Sequence, residues 1–273
     1  MSTIKILYKT KKWDKELQNN KKMNSIEMYR RNVATCIDCY THPENHSSFP
    51  KTSIDDPVSF YYQLGSKYII LSGEYYLLEE NADNLISHLY LYVLALSKAY
   101  ELAKSGVEIT NPAIEKAYEE DRDLEKVMFC ATAIVNIELF EEYGTNLGCE
   151  IIKAMYHEDY AKAEELVSQL PDTAEIYEKE KYWASYCYES KYLKALYQAI
   201  LSKDEKAFNK ALADRIKFIR KGYVMPIDVV SVTMIKFARK LGLDYNFDVI
   251  EIPKALLEDL SDVPFEEYQL PEV

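Results

Sequence analysis

The densest group of chemically capable side chains in this 273-residue sequence is Cys36-Ile-Asp-Cys39-Tyr-Thr-His42-Pro-Glu-Asn-His46. Two of the five cysteines and two of the four histidines fall within these eleven residues. Thiolates and imidazoles are zinc donors, so the residue types match a site of two cysteines and two histidines. The spacing does not match. Such sites place a long loop between the two pairs so that four donors converge tetrahedrally, whereas two residues separate Cys39 from His42 here. The expectation is a helix end with buried cysteines, followed by a histidine-containing loop, with no metal held. A redox Cys-x-x-Cys would need a βαβ setting, which the pattern lacks.

Other catalytic constellations fail on spacing as well. His157-Glu158-Asp159 lacks the second histidine of a zinc-protease helix. Glu138, Glu141 and Glu142 share a helical stretch, but a di-metal bundle needs Glu-x-x-His, and no such motif occurs. There is no Gly-x-Ser-x-Gly, P-loop or dinucleotide fingerprint. No catalytic residue and no cofactor site is assigned, and the chain is expected not to be an enzyme.

Two other features concern contact rather than catalysis. Tyr177, Tyr182, Trp183, Tyr186, Tyr188, Tyr192 and Tyr197 form an aromatic stretch with i, i+4 recurrences, which reads first as helix-packing core and second as a partner surface. Acidic residues gather at Glu119, Glu120, Asp121, Asp123 and Glu125, and again in the tail at Glu258, Asp259, Asp262, Glu266 and Glu267. A charge run is usually a solvated face. If these carboxylates recognise anything, it is a basic partner.

The elements that must carry these residues are helical. The chain has only 7 Gly and 9 Pro, well below average usage, which disfavours turn-rich all-β folds and Gly-rich phosphate-binding folds. Apolar residues make up 48%, ample for a core. Residues 1–22 are basic and weakly patterned. Asn24 or Ser25 caps a helix to about Tyr40, and residues 42–54 read as a loop. Asp55-Asp56-Pro57 starts a helix that Gly73 ends or bends. Asn81 or Asp83 caps a largely apolar helix over 84–104, stopped by Gly106. Pro112 opens a helical stretch reaching Tyr143-Gly144.

From Asn146 onward, paired short helices are expected, over 151–156 and 160–170, then 173–202 and 205–221. The segments Ala154–Asp159 and Ala199–Asp204 rhyme at an offset of 45 residues, within the range of helical-hairpin repeats. A helix over 229–241, an extended stretch over 245–252 and a short helix over 254–259 complete the pattern. The expectation is an all-α chain of about nine antiparallel helices in one compact domain. Its parts are a basic segment (1–22), an N-terminal helical half (23–144), a repeat-like C-terminal half (145–260) and a loose acidic tail (261–273).

Charge and targeting narrow the function classes. Lys and Arg number 33 against 45 Asp and Glu, a net charge of −12. Residues 1–50 hold 9 basic against 5 acidic side chains, so the acidity lies in the remainder. Nucleic-acid binding rests on neutralising phosphates and is disfavoured. An acidic body favours and steers basic partners. Residues 1–13 contain no apolar signal core, and the longest apolar run, 85–103, is interrupted by His88, Lys98 and Glu101, so no membrane association is expected. Five scattered cysteines suit a reducing, cytoplasmic setting.

The C-terminal third carries a family resemblance. Leu193-Lys-Ala-Leu-Tyr-Gln-Ala-Ile-Leu-Ser-Lys-Asp-Glu-Lys-Ala-Phe-Asn-Lys-Ala-Leu212, then Asp228-Val-Val-Ser-Val-Thr-Met-Ile-Lys-Phe-Ala-Arg-Lys-Leu-Gly-Leu243, then Ile252-Pro-Lys-Ala-Leu-Leu257 resemble the immunity protein 49 family of bacterial polymorphic toxin systems. The resemblance spans roughly 145–257, and a second all-helical immunity group, paired with nuclease toxins, is close in composition. It implies a cytoplasmic antitoxin that neutralises a cognate toxin domain by stoichiometric binding, with no catalytic or binding residue to carry over. A homodimer stays open. The competing reading is a helical-repeat scaffold or peptide-binding regulator, supported by the 45-residue rhyme.

Overall fold

The computed structural model describes residues 18–46, 56–119, 123–134, 137, 140–170, 192–219, 227–246 and 248–271. Eleven α-helical segments, the first of them over 18–23, and no strands occur among these residues. The helices form two compact units. Of the described residues, one comprises 18–143 with 260–271, and the other 144–259.

The first unit is built on a helical hairpin. Helix α1 (Ser25–Thr41) precedes α2 (Pro57–Glu79) and α3 (Ala82–Lys104). Asp56 caps α2 by accepting from Ser59 N, with Pro57 in the first turn, where its missing N–H costs nothing. Asn81 caps α3 by accepting from Asn84 N. Helix α2 does not end or bend at Gly73. It continues to Glu79, because apolar residues persist through Leu78, and stops where Glu80 turns left-handed at φ 54°. The two-residue link Glu80-Asn81 makes α2 and α3 antiparallel neighbours. They approach closely at Gly65, where an added Cβ would lie 2.2 Å from Leu96 Cδ2.

Helix α1 lays Ile26, Tyr29 and Val33 against Leu71, Tyr75 and Leu78 of α2. Its expected side-chain cap is absent: Asn24 adopts φ 52°, and its carbonyl, not its side chain, accepts from Met28 N at 3.1 Å. The helical stretch expected from Pro112 to Gly144 is divided into α4 (Pro112–Glu119) and α5 (Leu124–Ile134), followed by turns over 140–143. Helix α5 packs on α3. Tyr100 of α3 gathers Tyr118, Tyr143 and Phe140 at ring distances of 4.2, 5.7 and 6.3 Å. The tail is not loose throughout: Phe265 sits 4.7 Å from the Tyr90 ring on α3.

The second unit stacks hairpins. Helices α6 (Leu147–Tyr156) and α7 (Tyr160–Ser168) form the first, and α8 (Leu193–Leu201) and α9 (Glu205–Ile219) the second. Helix α7 packs on α8, and α10 (Val229–Lys240) packs on α8 and on the 3-10 turn Lys254–Leu257. The helix expected over 173–202 is interrupted at its described end, since Tyr192 has φ 70° and α8 begins after it.

The rhyming segments adopt one geometry. Asp159 N bonds Ala154 O at 2.9 Å, and Asp204 N bonds Ala199 O at 2.9 Å. Glu158 and Lys203, each just before the aspartate, are left-handed at φ 62° and 54°. Each aspartate then caps the next helix, accepting from Lys162 N or Ala207 N. The end of α10 repeats the stop: Leu243 N bonds Ala238 O at 3.0 Å, with Gly242 at φ 80°. Among the described residues no third hairpin follows, and those between 243 and the 254–257 turn show no helix or strand.

Candidate functional site

The cysteine and histidine group is spread along a helix and past its end. Cys36 is buried on α1, Cys39 is half-buried, and His42 is exposed beyond the last turn. Burial pushes the Cys36 thiol up, Lys67 opposing it, and burial likewise raises Cys39. At both positions burial disfavours the thiolate form. His42 Nδ1 lies 2.9 Å from Thr41 Oγ1 and 3.4 Å from Asp38 Oδ1, a helix-end arrangement. The His46 side chain lies outside the described residues. No three His, Cys, Asp or Glu side chains gather as a metal site among the described residues.

The acidic candidates divide into exposed and committed groups. Glu119 is exposed at the end of α4, while Glu120 and Asp121 lie outside the described residues. Asp123 is half-buried and accepts from the Tyr62 hydroxyl, and Glu125 is half-buried on α5. These two are part of the packing of the unit. Glu258, Asp259, Asp262, Glu266 and Glu267 are all exposed. Glu258 and Asp259 belong to the C-terminal unit, whereas the other three belong to the N-terminal one. Asp259 also acts on Lys236, whose half-buried ammonium is lowered by burial to about 8, with Asp259 pulling the other way.

Of the tyrosine stretch, Tyr177, Tyr182, Trp183, Tyr186 and Tyr188 lie outside the described residues. Tyr197 is buried on α8, and Tyr192 is half-buried 6.2 Å from the Phe218 ring.

Of the polar groups that the structure buries, only Asp56 stood out in the sequence, and there as the start of a helix. Asp56 is 4% exposed and accepts from Ser59 N, Ser59 Oγ, Thr110 N and Thr110 Oγ1 at 2.7–2.9 Å. Burial opposes its ionisation, but these four bonds outweigh burial and hold its carboxyl below the usual range. Glu74 is the opposite case. It accepts from Ser25 Oγ at 2.6 Å and Asn20 Nδ2 at 3.0 Å, yet burial wins and raises its carboxyl. His88 is lowered chiefly by burial and donates Nδ1–H to Asn84 O at 2.9 Å, so a neutral ring sits beside Tyr75.

In the C-terminal unit, Arg215 of α9 meets Asp228, which also accepts from Ser231 Oγ, while Asp228 N bonds Glu251 O at 2.8 Å. Asn209 donates to Asp244 O at 3.0 Å and accepts from Asn246 N at 2.9 Å. Arg239 donates Nε–H to Asp244 and Nη1–H to Leu257 O, both at 3.1 Å. The most specific pieces of the resemblance, the turn 237–243 and the segment 252–257, are thus joined by one guanidinium. Leu243, Ile252 and Leu256 are buried. These residues explain how the unit closes.

Across the described residues no helix is long and apolar enough to cross a membrane. Searches against family models, curated proteins and solved structures find no match.

Proposed function

We propose that this chain is an immunity protein, a cytoplasmic antitoxin that binds a cognate bacterial toxin domain and blocks it stoichiometrically. The observation that carries the reading is the run of C-terminal residues resembling the immunity protein 49 family, in which the turn at Phe237–Leu243 and the segment Ile252–Leu257 are clipped together by Arg239. The net charge of −12 supports a basic partner, and exposed carboxylates such as Glu119, Glu266 and Glu267 would steer it. A standard interface buries about 1,600 Å² in total.

Co-expression with the product of the adjacent reading frame tests this. The expected result is rescue of a growth defect and a one-to-one complex whose association slows as salt rises. A neighbouring product that is neither toxic nor bound overturns the reading.

A second reading, a helical-repeat scaffold that binds peptides, is favoured by the matched turns at Ala154–Asp159, Ala199–Asp204 and Ala238–Leu243. It predicts binding of unfolded peptides and no dependence on the neighbouring product.

A further inference from the structure

Exposed apolar side chains of the N-terminal unit gather around one joint. Among the described residues three large ones stand out to solvent, Met23, Met28 and Ile70, at 60, 40 and 36% exposure. The joint is Glu74 of α2, which accepts from Ser25 Oγ at 2.6 Å and from Asn20 Nδ2 at 3.0 Å and so ties α1 and the short helix 18–23 to α2. Met28 lies three residues after Ser25, and Ile70 four residues before Glu74, so each shares a helix face with one partner of that bond. The two helices run antiparallel, since Tyr40 near the end of α1 stacks on Phe60 near the start of α2 at 4.4 Å. Going forward from Ser25 and back from Glu74 therefore follows one direction, which puts Met28 and Ile70 on the same flank of the α1–α2 seam. Met23 precedes Ser25 by two residues. Single exposed apolar residues are ordinary, but three around one joint make a patch.

Charge of both signs lies at the same end of the unit. Lys21 and Lys22 follow Asn20 and are exposed. Glu79 and Glu80 close α2, starting about 7.5 Å beyond Glu74 at 1.5 Å per residue, and are exposed as well. A methionine-bearing apolar centre with a charged rim is the make-up of a protein interface. A rim that carries lysines and carboxylates at one end complements a copy of itself, because a two-fold axis sets the basic side of each copy against the acidic side of the other. We propose that this end of the N-terminal unit pairs two copies of the chain as a two-fold dimer, with Lys21 and Lys22 of each copy facing Glu79 and Glu80 of the other around Met23, Met28 and Ile70. The proposal stands independently of the antitoxin reading.

Sedimentation velocity of the full chain over a concentration series tests it. The native chain dimerises, and its dissociation constant rises by about 10-fold or more with salt, because the screening length falls from about 30 Å at 0.01 M to about 3 Å at 1 M ionic strength. Lys21→Glu with Lys22→Glu sets carboxylates against carboxylates, and Glu79→Lys with Glu80→Lys sets ammonium groups against each other. Each pair of changes weakens the dimer by about 100-fold or more at low salt. An equimolar mixture of the two variants restores pairing, since each now carries the charge the other lacks. Met28→Gln with Ile70→Gln, at two exposed positions, weakens the dimer by roughly 10-fold at low and high salt alike. Circular dichroism melts that match the native protein establish that the variants fold. A native chain that stays monomeric at every concentration overturns the proposal, for these charges then serve only their own chain. So does a dimer indifferent to all three variants, or folded charge variants whose mixture stays monomeric.

Discussion

Arg215 and Asp228 face each other as a two-pronged pair, Nε to Oδ2 and Nη2 to Oδ1 both at 2.8 Å, with side chains 2% and 3% exposed. The pair fastens the middle of α9 to the start of α10. Charges taken this far from water are costly alone and tolerable together. Arg215→Met leaves the Asp228 carboxylate buried without its guanidinium partner, and should cost about 3–5 kcal/mol. Arg215→Met with Asp228→Asn removes both charges and should recover a substantial part of that loss. Urea melts of the three proteins check this. A double variant as unstable as the single one would mean that the pair's hydrogen bonds, rather than its charges, hold the joint.

The α2–α3 contact gives a sign-reversing prediction. Gly65→Ala gains up to about 1 kcal/mol of helix propensity. Against this, the new methyl meets Leu96 Cδ2 at 2.2 Å, with Tyr92 and Ala95 at 3.4 and 3.5 Å, and overpacking a dense core costs about 1–3 kcal/mol. Leu96 is 2% exposed, so it has little room to retreat. Gly65→Ala should therefore lower the melting temperature. In a Leu96→Ala background the same change fills space and should raise it. A destabilisation of equal size in both backgrounds would refute this packing account.

Lys236 predicts a pH dependence. Its folded pKa, about 8, lies below the ordinary lysine value of 10.5, so the folded state releases its proton first. Between those values the unfolded chain binds more protons, and stability rises with pH by this group's contribution. Below pH 8 the full penalty for charging the buried amine applies. Lys236→Met should thus be more stable than the native chain at pH 7, by about 1–3 kcal/mol, and the gap should narrow between pH 8 and 10.5. Paired thermal melts across that range measure it. A gap constant with pH would show that Lys236 titrates normally.

Much of the helical layout was legible because it rests on local signals. Asp56-Pro57, Asn81, Asp159 and Asp204 begin helices where a capping oxygen is expected to satisfy free amides, and each does so. Gly73 misled because a buried glycine inside an apolar run needs no turn, and Gly65 on the same helix serves close packing instead. The break between α4 and α5 had no Gly or Pro to mark it. The buried polar joints were legible in principle. Phe208, Ala211, Leu212, Arg215 and Ile219 fall on one helical stripe, and a charged residue on an apolar stripe must find a partner. Which residue that is depends on tertiary approach, and no spacing rule places Asp228 opposite it. The candidate acidic residues were less legible. A run of carboxylates in sequence did not distinguish exposed Glu119 from Asp123, which Tyr62 engages.

The matched helix stops predict opposite effects from exchanging residues between them. Lys203 and Gly242 occupy the same place in the turn, one residue before the amide that closes it, at φ 54° and 80°. A left-handed backbone costs an ordinary L-residue roughly 1 kcal/mol or more, and glycine little. Glycine also gives the unfolded chain more freedom, which offsets part of the gain. Lys203→Gly should therefore stabilise the C-terminal unit modestly, by about 0.5 kcal/mol, and Gly242→Ala should destabilise it by about 1 kcal/mol. Neither substitution meets a steric complication: Lys203 is exposed, and nothing lies within 4 Å of a Cβ built at Gly242. Chemical denaturation of the two variants reads both signs. If Lys203→Gly destabilises while Gly242→Ala is neutral, the two turns do not share the backbone geometry on which the repeat relationship depends.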